Sequence, residues 1–321
     1  MLYPLKFKPR LAGQSAAVAA MGHRGEEPRS AIAATGESWE LVDFPPGSRD
    51  GNNDWLSSEV ADGPLAGLTL HQVIADFGRA VHGDVPLHGP RGRFPIQVRT
   101  VDEREGPGLG VNTAAAAWYV VQAEPGARVV RSLRAGVDPA GLERAIAAGN
   151  FESLCLEVSV KSGDCLFLPP GTVHAQAVGI VAVEMQTPGD SMGKLGVAEA
   201  VAVGRIRLGG SLAAYQRRSH VAGLFTTVTR LVTWEEFVVE KVRFVEGVEE
   251  IVPYDQPVVW IVLDGKAEIR VDGLKMPVGF GRGDTLLIPA EMKNPVIKTL
   301  SNCVWLEVTF PKRSGADGRQ Q

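Results

Sequence analysis

Apolar residues in this chain fall into short runs separated by Gly, Pro and Asp. The clearest runs cover residues 117–121, 128–131, 166–169, 179–184, 258–263, 267–271, 285–288 and 304–309. Runs this short, rich in Val, Ile, Phe and Trp and bounded by turn residues, predict β-strands. Helical spacing is rarer. It occurs over residues 68–77 and 139–148, the second opening with Asp138 as N-cap and Pro139 at the first helical position. A third helix is expected within residues 195–215. Many strands with few helices predict a mainly β protein built as barrels or sandwiches.

The pattern repeats. Trp118-Tyr119-Val120-Val121 recurs as Trp260-Ile261-Val262-Leu263, 142 residues later. The stretch from Val160 to Pro169, with Gly163-Asp164 at its turn, recurs from Gly281 to Pro289, with Gly283-Asp284 only 120 residues further on. The 22-residue difference implies an insertion in the first copy, and the helix starting at Pro139 is the place for it. Two copies of one strand–turn–strand unit imply two structural units from one template.

Composition narrows the function classes. A chain of 321 residues has room for about two domains. A net charge of -4 gives no electrostatic reason to bind nucleic acid or an anionic membrane. The start, Met1-Leu2-Tyr3-Pro4-Leu5-Lys6, has no apolar signal core, and no apolar run is long enough to span a bilayer. Cys155, Cys165 and Cys303 form no close pair, as expected for buried thiols in a reducing compartment. A soluble cytoplasmic protein is the expectation.

Chemistry concentrates around one histidine. Gly163, Pro169, Gly171 and His174 have a spacing that resembles the second metal motif of the cupins. Gly163-Asp164 would make a tight turn, and Pro169-Pro170-Gly171 a bend aiming His174 inward. The alternative is a buried, hydrogen-bonded histidine. The second copy has Glu291 and Asn294 in the glycine and histidine slots, so its unit is expected to be a metal-free structural partner.

A narrower resemblance rests on several motifs in order: Gly36-Glu37-Ser38-Trp39-Glu40, Gly63-Pro64-Leu65-Ala66-Gly67, Gly92-Arg93-Phe94-Pro95, and Pro169 through Ala175. Together they resemble type I mannose-6-phosphate isomerase. The resemblance implies two cupin-type β-barrels of jelly-roll kind with a few inserted helices. Residues 1–230 would form the N-terminal barrel with the candidate site. Residues 231–312 would form a C-terminal barrel without a metal motif, and 313–321 a disordered tail. It also implies a zinc ion, interconversion of mannose 6-phosphate and fructose 6-phosphate through an enediolate, and a sugar or sugar phosphate as the small-molecule partner.

The ligand positions implied by the resemblance are depleted in this chain. The family's glutamate ligand falls on Ala116. Its Gln-Val-His-Pro strand falls on Gln97-Val98-Arg99-Thr100, or is deleted altogether. His174 and Gln97 are then the candidate metal ligands, which is fewer than the three protein ligands that catalytic zinc usually takes. An empty or weakly held zinc site is expected. Asp102, Glu103 and Glu105 read as a solvated acidic loop. On the substrate side the candidates are Glu184, Gln186, Arg99 and Lys194, the last in place of an arginine that holds the phosphate in relatives. Glu184 and Gln186 are expected on a strand beside that of His174, and Arg205 and Arg207 on the third helix. No catalytic residue is assigned. The expected function is an isomerase homologue with lost or reduced catalysis and retained sugar binding. The alternatives are an active isomerase with rearranged ligands and a cupin enzyme of different chemistry.

Overall fold

The structure is a computed structural model, and it describes residues 1–12, 35–44, 56–103, 109–176, 179–189, 194–208, 218–221 and 225–311. The regions 13–34, 104–108 and 312–321, with His23, Glu105 and the expected tail among them, lie outside the described residues.

The two Trp-containing runs become the central strands Ala116–Ala123 and Val258–Asp264. Both are almost continuously apolar, and both are buried on their two faces over their first five residues. Strands covered on both sides read this way instead of alternating. Each has the same two neighbours. Trp118 is opposite Leu166 and Glu184, and Trp260 is opposite Leu286 and Glu307.

The likeness extends to whole sheets, all of them antiparallel. In the first unit the order is Cys165–Leu168, Ala116–Ala123, Ile180–Gln186, Gln97–Glu103, Thr35–Leu41, Arg10–Ala12. In the second it is Thr285–Ile288, Val258–Asp264, Cys303–Thr309, Val238–Phe244, Thr226–Thr233, Arg218–Val221, with Leu5–Lys6 from the N-terminus added beside Thr285–Ile288. A smaller sheet faces each of these. Around Arg128–Leu133 and Val173–Gln176 it has five strands, and around Lys266–Arg270 and Val296–Thr299 it has four. The fold is mainly β, two cupin-type units from one template, as the repeat required.

The insertion is also where the spacing difference put it. Between Arg128–Leu133 and Cys155–Ser159 the chain makes the helix Pro139–Ala147 and a short 3-10 turn, Phe151–Leu154. Asp138 caps the helix by accepting a hydrogen bond from the Gly141 N–H. The helix at Leu70–Phe77 starts from a capping box between Thr69 and Gln72. The third helix is short, Val197–Ala202. Among the described residues, no helix is long and apolar enough to cross a membrane.

The two large sheets lie back to back. One face of the Trp118 strand joins Ala116, Trp118 and Val120 to Val129 of the smaller sheet and to Val160 just beyond it, inside its own unit. The other face puts Ala117 and Tyr119 into a core shared with Phe237, Val259 and Leu287 of the second unit. Phe167 packs on Trp234 and Phe237 across this contact, and Lys241 Nζ donates to Tyr119 Oη at 2.7 Å.

Candidate functional site

His174 is placed by a bend that the sequence motif encodes and a side chain that it does not. Gly171 has φ +81°, and a Cβ there would meet Arg205 O and Arg207 N at 3.1 Å, so glycine is required. Asn112 fixes the same bend. Its Nδ2 donates to the carbonyls of Ala114, Leu168 and Pro169 at 2.6, 2.9 and 3.0 Å, and its Oδ1 accepts from Thr172 N at 2.9 Å. His174 follows on the strand Val173–Gln176, almost fully buried, with Nδ1 at 3.0 Å from the Thr172 carbonyl. A carbonyl only accepts, so Nδ1 carries the hydrogen of this bond. The ring meets Trp118 edge-on at 5.2 Å.

Trp118 belongs to the sheet opposite, and its cross-strand partners share its face. Glu184 is directly opposite Trp118, Arg99 opposite Glu184, and Trp39 opposite Arg99. One step along the same face, Ala116 and Gln97 both oppose Gln186. Gln97, Arg99, Ala116, Glu184 and Gln186 are therefore brought together, with His174 reaching the same face from the smaller sheet. The strand Gln97–Glu103 is paired on both sides.

Arg99 dominates the electrostatics. Its Nε donates to Glu184 at 2.6 Å, one terminal nitrogen donates to Glu37 at 2.7 Å, and its guanidinium carbon sits 5.3 Å from the centre of the Trp39 ring. Burial works against its charge, but the fields and hydrogen bonds of Glu184 and Glu37 outweigh that and hold it firmly protonated. Glu37 and Glu184 are themselves almost fully buried. Gln97 is buried too, and its Nε2 finds no hydrogen-bond acceptor.

The donor set does not fit zinc. Among the described residues no three His, Cys, Asp or Glu side chains are grouped to hold a metal. His174 offers one nitrogen and Gln97 one neutral oxygen. The two carboxylates on this face, Glu37 and Glu184, are already engaged by a fixed cation that would repel a second one.

Several expectations need correcting. The Glu184 strand is not beside the His174 strand; it pairs with Ala116–Ala123 and Gln97–Glu103, in the facing sheet. Asp102 is no solvated loop residue but a buried one on a paired strand, and alternation turns it to the face opposite Arg99. Arg205 and Arg207 follow the helix Val197–Ala202 and line up beside Gly171, with Arg207 N donating to its carbonyl at 2.7 Å. Lys194 lies on a strand opposite Asn112, but its side chain is outside the described ones. Asn294, in the second unit's histidine slot, is exposed and donates to Asp272.

Sequence reasoning missed three participants. Glu37 and Trp39 stood in a quoted motif without a role, and only cross-strand register reveals it. Asn112, at the end of the strand Gly110–Asn112, gave no signal in the sequence.

No family model matches the chain. The chain is 24% identical over 294 residues to the putative mannose-6-phosphate isomerase YvyI of Bacillus subtilis (strain 168), covering 83% of this chain and 86% of that one. It is 27% identical over 210 residues to mannose-6-phosphate isomerase ManA of the same organism, 60% of each chain. The crystal structure of the mannose 6-phosphate isomerase from Bacillus subtilis matches with a TM-score of 0.77 at 21% identity, over 96% of this chain and 100% of that one. The fold and the paired sheet faces define a two-unit cupin-type protein. In sequence and in fold the chain is similar to mannose-6-phosphate isomerases.

Proposed function

We propose that this chain is a family member that binds a sugar or sugar phosphate in the N-terminal unit with little or no isomerase activity. The observation that carries the reading is the guanidinium of Arg99, clamped between Glu37 and Glu184 on the face that His174 reaches. A positive charge fixed there opposes a divalent cation, and Ala116 brings no carboxylate to replace the missing donor. Stabilising an enediolate would then fall to hydrogen bonds alone. Losing such electrostatic stabilisation typically costs about 3–4 kcal/mol, or two to three orders of magnitude in rate.

The same residues suit a polyol. The carboxylate of Glu184 accepts from hydroxyls, the amides of Gln97 and Gln186 can donate and accept, and Trp118 supplies an apolar wall. Lys194, one strand removed from His174, is the candidate cation for a phosphate. The test has two arms. Calorimetric titration with mannose and mannose 6-phosphate is expected to give saturable binding that Gln97→Ala weakens. A coupled assay for fructose 6-phosphate, with zinc, cobalt or manganese added, is expected to give little turnover. Metal-dependent turnover near the typical enzyme rate of roughly 10 per second would overturn the reading.

A further inference from the structure

The repeated architecture allows the interiors of the two units to be compared position by position. Trp118 opposite Glu184 in the first unit corresponds to Trp260 opposite Glu307 in the second. The next strand brings Arg99 to Glu184, but it brings Glu240 to Glu307. Glu240 is paired with Arg230, on the strand beyond. The buried carboxylate of the first unit therefore has an internal counter-cation, and among the described residues that of the second has none.

Glu307 is nonetheless tightly built in. Its Oε2 accepts from Tyr254 Oη at 2.6 Å, Trp260 Nε1 at 3.1 Å and Trp305 Nε1 at 3.4 Å, while among the described residues Oε1 accepts no hydrogen bond. A cavity of about 230 Å³ opens beside it. Trp260, Trp305, Tyr254 and Phe244 wall the cavity, and the Thr226 hydroxyl is buried in its lining without a partner. Trp260 and Trp305 have centroids 4.7 Å apart, and Phe244 stacks on Trp305 at 5.0 Å. The mouth is at the exposed residues Glu250 and Ile251, and among the described residues the lining contains no Lys, Arg or His.

We propose that the interior of the C-terminal unit binds a small organic cation, an ammonium or quaternary ammonium group on a short stem, caged by aromatic faces and neutralised by Glu307. Aromatic faces attract cations electrostatically, and more so where water is excluded. Among the described residues, an anion would meet two carboxylates and no positive charge. A sugar would find few donors to match its hydroxyls. The volume lies below the roughly 300–1,000 Å³ of drug-sized pockets, which sets the ligand's size. The cation takes the place relative to Glu307 that Arg99 takes relative to Glu184.

The test uses the full chain and three probes: choline, its neutral isostere 3,3-dimethylbutan-1-ol, and mannose, each titrated at pH 8 while following tryptophan fluorescence. Choline is expected to bind at least about tenfold more tightly than the alcohol. Glu307→Gln is expected to bring the two probes within about twofold of each other while leaving alcohol binding intact, which also reports that the cavity still folds. Equal binding of choline and the alcohol in the unaltered protein would overturn the proposal. So would mannose binding that Glu307→Gln weakens, or no saturation by choline up to about 50 mM.

Discussion

Taking Arg99 out of water disfavours its charge, and Glu37 and Glu184 together offset that cost in the N-terminal unit. The geometry suggests how to exchange this cation for a metal. In the double variant Arg99→His/Ala116→Glu, the guanidinium disappears, and an imidazole and a carboxylate join His174 and Gln97 on one face. That variant is expected to purify with about one zinc per chain, against a small fraction of that in the unaltered protein, as measured by plasma mass spectrometry. Stoichiometric zinc in the unaltered protein would show that a ligand set other than these residues exists. Ala116→Glu alone keeps the guanidinium and is expected to stay nearly metal-free.

At the scale of the strand, register decides which side chains meet. Glu184 and Glu307 occupy matching places, yet one faces an arginine and the other a glutamate. Burial pushes the Glu307 carboxyl above its ordinary value, Glu240 adds to the rise, and the bonds from Tyr254, Trp305 and Trp260 oppose it without cancelling it. A raised pKa in the folded state means that the fold prefers the protonated form. Glu307's contribution to stability is therefore fullest below the ordinary carboxylate pKa, and it is lost as pH rises through the raised folded value. Glutamine can accept the same three hydrogen bonds without a charge. Glu307→Gln is expected to melt above the unaltered protein at pH 8, with the gap closing towards pH 4. Scanning fluorimetry across pH measures this. A gap that does not change with pH would mean that Glu307 is not the titrating group.

At the scale of the molecule, the two large sheets share one core, so neither unit buries its outer sheet face alone. Phe237 is fully buried there and packs against Phe167 of the first unit. Phe237→Ala is expected to cost about 3–5 kcal/mol, the usual range for a large buried aromatic. The loss should appear in a single calorimetric transition that carries both units down together. Two separated transitions, one of them unshifted, would show that the units fold independently.

Much of this was written in the chain itself. The Trp-Tyr-Val-Val and Gly-Asp repeats determined two β units and located the inserted helix, because strand periodicity and turn chemistry are local and survive without context. The Pro-Pro-Gly bend and His174 were legible for the same reason. The strands Val238–Phe244 and Thr226–Thr233 were not, since Lys, Glu, Arg and Thr interrupt their apolar pattern, and only pairing with neighbours explains the burial of their remaining residues. The meeting of Glu37, Arg99 and Glu184 belongs to the tertiary structure alone. These residues are far apart in sequence, and cross-strand register, which no local pattern encodes, sets them side by side. The same holds for Glu307 among Tyr254, Trp260 and Trp305: each residue reads as ordinary core or strand, and the cage exists only where distant strands and a loop converge.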